Sequence, residues 1–277
     1  MLENFIKNLN ETERAELENY CANKFVKQNN LDEDNQEFLN LWRGIIKLKS
    51  CIVGQILNEH ICYKRPVKFN RPEDINIIIY NSIAGELPVI KFGDISDFEN
   101  FIINLLYKGD RSQAGDISQM GASFIFGKTQ RFLALSNKYY SNAPPEFVNL
   151  ETEEWRGKSA IIRLEHECTH YYTKKFYGSA SNNLRDELIA DFVGLYEAFK
   201  FYNAKLFQHF MGLDDVNNQA GRLSLYTVGL SKNVQEIIKQ IAVTSSNWLE
   251  SWQHTQEFKS FNKSQRINYL CENLKLI

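Results

Sequence analysis

Every proline in the chain, Pro66, Pro72, Pro88, Pro144 and Pro145, falls between residues 66 and 145. Proline lacks a backbone N–H and its ring clashes with the preceding helical turn, so both flanks are free of the residue most hostile to helix interiors. Both are therefore expected to be helical. From Thr12 to about Cys62 the residues are rich in Glu, Lys, Leu, Ile and Asn. Within that stretch Leu39, Trp42, Ile46, Cys51 and Ile56 recur at helical spacing with some slippage, which predicts two or three helices.

Between residues 66 and 149 the texture changes to short β-favouring runs, Ile75–Tyr80, Val89–Phe92 and Ser123–Ser136, punctuated by Gly, Asn, Asp and Pro. One helix is expected among them. It starts near Asp94 or Ser96, where Ser96 and Glu99 have capping-box spacing, and it presents Phe98, Phe101, Ile102 and Leu105 as its apolar face. SFIFGKTQRFLALS reads as a hairpin turning at Gly127–Lys128. Ala122 to Thr129 also satisfies a loose phosphate-loop pattern. Such a loop needs small residues opening a helix, whereas Phe124, Ile125 and Phe126 precede Lys128 and a strand-like run follows, so nucleotide binding is rejected. From Thr152 onward the chain reads as successive helices, broken near Gly178–Ser181 and Gly212–Gly221.

The chain has 277 residues, 43% hydrophobic and 24% charged, which suits an ordinary globular protein. A net charge of −2 offers no surplus to draw the chain to nucleic acid or anionic lipid. The longest strongly apolar stretch, Ile75 to Tyr80, is far short of the ~20 residues of a membrane-spanning helix. With charges from Glu3 onward the N-terminal residues are not expected to act as a secretion signal, and five scattered cysteines without a Cys-x-x-Cys pair read as reduced, buried thiols. The expected location is cytoplasmic, with no nucleic-acid or membrane partner, and nothing fixes an oligomeric state.

Chemistry concentrates in residues 163 to 194, which contain His166-Glu167-Cys168-Thr169-His170. Residues four apart share a helix face, so both imidazoles can aim at one metal ion while Glu167 stands beside it to contact a water. Chance matches to this motif are on the order of 0.01 per chain of this composition, so context decides. Ile161, Ile162, Leu164, Cys168, Tyr171 and Tyr172 are expected to cover the opposite side of the helix, with Arg163 and Glu165 as surface or cleft-rim charges.

A catalytic zinc usually has three protein ligands and one water. Glu187, seventeen residues after His170, is the candidate third ligand on a helix from about Asn183 to Phe201 with the apolar stripe Leu188, Phe192, Leu195 and Phe199. Asp191, one turn on, is placed to accept the outer N–H of a ligating histidine.

His166-Glu167-x-x-His170 followed by Glu187-Leu188-Ile189-Ala190-Asp191 resembles the gluzincin branch of the zincin metallopeptidases, over about thirty residues. A longer stretch, Gly121 to Gly194 with SNKYYSN, EWRGKS and HECTHYYTKKFYGS, is also similar to a family of bacterial His-Glu-x-x-His proteins to which no substrate is attached. The resemblance implies a zincin-like active-site helix pair, Zn²⁺ and a peptide or protein substrate. Two departures matter. The seventeen-residue gap is short for this branch and leaves Asp186 as an alternative ligand. The transition-state donor has no motif; Tyr226, four residues after Arg222, is preferred over His209, His254, Tyr172 and Tyr177.

The expectation is an α+β, zincin-like single domain over 1–277. It comprises a helical N-terminal region (1–65), a small mixed sheet (66–150), and metal-site helices leading into a helical C-terminal part (151–277). Zinc held by His166, His170 and Glu187 would lower the pKa of its water toward ~7, with Glu167 as general base, Tyr226 as donor and Asp191 in support. A non-catalytic zinc protein and a zinc hydrolase of non-peptide amides are the alternatives. Phe132–Ser136 is the candidate sheet edge along which an extended peptide would pair.

Overall fold

The computed structural model describes residues 6–28, 36–47, 52–114, 117, 120–126, 131–178, 183–214 and 221–277. It is an α+β structure with twelve α-helices and a four-stranded mixed sheet among those residues. The chain divides into two compact units, residues 32–167 and residues 1–31 with 168–277.

In the first unit α2 (Gln36–Ile46) and α3 (Val53–His60) precede β1 (Ile75–Ser82) and β2 (Gly85–Phe92). Helix α4 (Ile95–Tyr107), β3 (Ala122–Phe126), β4 (Arg131–Ser136) and the short α5 (Pro145–Val148) follow. The strand order is β1-β2-β4-β3, with β2 and β4 parallel and the outer pairs antiparallel. Pro88 is tolerated in β2 because its pairing with β4 begins only at Val89, so no ladder bond to β4 is asked of its missing N–H. Trp42, Phe92, Phe98, Phe101 and Phe132 form the centre of the apolar core, all at 2% exposure or less.

Several expectations are corrected here. Phe132–Ser136 is not an edge: β4 pairs with β2 on one side and β3 on the other, leaving β1 and β3 outermost. Helix α4 is capped by Asp94, whose side chain accepts from the Asp97 N–H, rather than through Ser96 and Glu99. In α2, Leu39, Trp42 and Ile45 are buried whereas Ile46 is exposed, a one-residue shift of the apolar stripe. The hairpin pairing of β3 with β4 is as expected; its turn at 127–130 and Cys51 lie outside the described residues.

Helix α6 (Thr152–Tyr177) is continuous through the motif, and the boundary of the two units falls on it between Glu167 and Cys168. It stops at Gly178, whose φ of 68° is the left-handed conformation that favours glycine. The second unit is helical: α1 (Glu11–Cys21), α7 (Leu184–Phe199), α8 (Ala204–Met211), α9 (Leu223–Tyr226), α10 (Lys232–Trp252), α11 (Gln256–Ser260) and α12 (Lys263–Asn273). Asn183 caps α7 by accepting from the N–H groups of Arg185 and Asp186. Every residue from Leu184 to Leu195 is buried, so the polar groups of this stretch of α7 require partners away from water. Phe192 meets Tyr202, Trp252 and Phe258 with ring centroids 5.0 to 5.8 Å apart. No helix among the described residues is long and apolar enough to cross a membrane.

Candidate metal centre

His166 and His170 lie one turn apart on α6, and Glu187 comes from the first turn of α7. Each offers one ligand atom, and the three atoms lie within 4.8 Å of one another. His170 Nε2 is 3.4 Å from Glu187 Oε1. Two ligands of a tetrahedral ion with bonds near 2.05 Å stand about 3.3 Å apart, so this edge suits a cation better than a direct hydrogen bond. Two imidazoles and a carboxylate are the donor set of a borderline divalent ion such as zinc. His166 and Glu187 are 6% and 1% exposed, so a cation there would be shielded from competing water. Glu187, not Asp186, joins the histidines in this group.

Around the carboxylates the second unit supplies cations and hydroxyls. Arg222 Nη2 donates to Asp191 Oδ2, and Tyr226 stands close enough to Glu187 to feel its charge. The expected pairing of Arg222 with Tyr226 four residues apart thus meets Glu187 and Asp191, also four apart. Burial, followed by the charge of Glu187, holds the Tyr226 phenol well above its usual value, with Arg222 opposing. Tyr20 of α1 donates to the Tyr226 carbonyl at 3.2 Å and accepts from the Leu184 N–H at 3.1 Å.

The other donor candidates are engaged elsewhere. Tyr172 and Tyr177 both donate to Asn268, and His209 Nδ1 lies 2.6 Å from Asp214 Oδ2. His254 is exposed. Glu167 is half-buried beside His166, as a group that must reach a water requires.

Two residues in this region escaped sequence reasoning and two were placed wrongly. The Tyr140 hydroxyl stands 3.2 Å from His166 Nδ1, and no motif marked it beyond its place in SNKYYSN. Tyr20 had no signal at all. Arg163 and Glu165, expected at the surface, are 5% and 6% exposed. Arg163 donates to the carbonyls of Lys138 and Tyr139, and Glu165 accepts from the Tyr80 hydroxyl at 2.5 Å. Conversely Ile161, expected to be covered, is 43% exposed.

Fold and site together define an α+β protein with a buried His-His-Glu group that could hold a metal ion. The chain belongs to a family of unknown function, DUF7005, whose model matches residues 49–130 and 128–276. No curated protein and no solved structure matches it.

Proposed function

We propose that this protein is a zinc-dependent metallopeptidase of zincin-like design, active in the cytoplasm on a peptide or protein substrate. The observation that carries the reading is the convergence of His166, His170 and Glu187 with Glu167 adjacent on the same helix. His166, His170 and Glu187 would hold a divalent ion, which would supply Lewis acidity at this site. Glu167 takes a proton from the attacking water and delivers it to the leaving amine. Tyr226, kept protonated by its surroundings, donates to the oxygen on which charge develops. Asp191, clamped by Arg222, steadies the helix that presents Glu187.

Elemental mass spectrometry of protein purified without chelator tests the reading. About one zinc per chain is expected in wild type and far less in His170→Ala and Glu187→Ala. Wild-type protein that holds no zinc even after addition would overturn it. Profiling the zinc-loaded protein against peptide and small-amide libraries then separates a peptidase from a hydrolase of other amides.

A further inference from the structure

One ligand histidine is held from behind by a residue outside the His-Glu-x-x-His and Glu-x-x-x-Asp motifs. The Tyr140 hydroxyl and His166 Nδ1 are 3.2 Å apart, and both residues are buried, at 3% and 6% exposure. Tyr140 is fixed by a stripe of α6 at positions 159, 163 and 166, spaced i, i+4 and i+7. Ser159 Oγ accepts from the Tyr140 N–H at 3.0 Å. Arg163 donates to the carbonyls of Lys138 and Tyr139 and sets its guanidinium carbon 5.9 Å from the Tyr140 ring centroid. His166 itself completes the stripe. Directly after Tyr140 the chain turns through Ser141 and Asn142, both left-handed at φ 50° and 56°. Non-glycine residues adopt that conformation only where the surroundings over-determine it.

An imidazole that binds a metal through one nitrogen carries its proton on the other, and the partner of that N–H sets the tautomer and ring angle. We propose that Tyr140 is the positioning residue of His166: its phenol oxygen accepts the Nδ1–H and thereby presents Nε2 to a divalent cation. This rests on the metal-centre reading. Asp191, placed by its spacing from Glu187 to accept from a ligating histidine, has Arg222 as one of its partners. Tyr140 reaches His166 from the segment between β4 and α5.

Zinc affinity, measured by competition with a chromophoric chelator, is compared for wild type and Tyr140→Phe. Loss of the hydroxyl is expected to weaken zinc binding 10- to 100-fold. A second measurement needs no variant. In zinc-free wild type with ¹⁵N-labelled histidine, long-range proton–nitrogen correlations are expected to put the His166 proton on Nδ1, a tautomer that no metal has imposed and that a merely structural tyrosine would not dictate. Wild-type affinity in Tyr140→Phe, or a His166 proton on Nε2, overturns the role of Tyr140 and leaves the metal centre standing. Absence of zinc binding by wild type overturns both. If Tyr140→Phe does not fold, the wild-type tautomer decides.

Discussion

His166, Glu167 and His170 place two imidazoles and a carboxylate within five consecutive residues, and each makes a separable demand on experiment. Glu167→Gln keeps size and hydrogen bonding but cannot take a proton. It is expected to retain about one zinc while turnover of a cleaved peptide falls roughly 10²- to 10⁴-fold. Full activity in that variant would remove Glu167 as the base. Tyr226→Phe is expected to lower kcat about 10²-fold with little change in KM, as loss of a transition-state donor does. An unchanged kcat would reduce its hydroxyl to a brace for Glu187. The ligands were legible because helical spacing is local: residues four apart share a face wherever the helix is. Tyr140 was not, nor was Asp191 as the partner of Arg222, because nothing in the neighbouring residues records a partner 26 or 31 residues away.

At the scale of elements, α1 works as a strap along the second unit. Glu13, Glu16 and Tyr20 follow one helical stripe and hold Asn233, the Ser231 N–H and the Tyr226 carbonyl. The Tyr20 hydroxyl also accepts from the Leu184 N–H at the start of α7, and burial pushes its phenol up to about 12. Tyr20→Phe removes both bonds. It is expected to cost about 1–3 kcal/mol in urea unfolding, since a buried amide loses its acceptor. No loss would mean the strap bears no load. A Cβ at Gly121 would lie 2.3 Å from Arg163 Nε, so Gly121→Ala must displace the guanidinium that gathers the carbonyls before Tyr140. A loss of about 2–4 kcal/mol is expected by the same measurement; wild-type stability would show that Arg163 can yield. Among the strands, the runs were readable but their order was not. Phe132 to Ser136 are all buried, as suits an inner strand, yet alternation and propensity do not say that the parallel partner is Val89–Phe92.

Across the whole molecule, each unit encloses a thiol that resists ionisation. Burial pushes Cys21 and Cys62 up to about 12 from an ordinary 9.0, with Arg185 opposing at Cys21. The unfolded chain releases these protons near pH 9 while the native state keeps them to about 12. The stability they confer is therefore complete below pH 9 and lost as pH rises, by at most about 1.4 kcal/mol per pH unit for each thiol. Urea midpoints at pH 8, 9, 10 and 11 are expected to fall progressively above 9; a flat profile would show that solvent reaches both thiols. What the sequence alone determined is what short-range physics encodes: helical flanks from the confinement of proline, a central run of strands, and a His-Glu-x-x-His face with an acid pair on a following helix. Tertiary structure decided which carboxylate joins the histidines, which strand lies inside the sheet, that Arg163 is buried rather than at the surface, and which groups Tyr140, Tyr20 and Arg222 reach. These depend on contacts between residues far apart in the chain. Burial makes each such polar group find a partner, and only the folded packing says which.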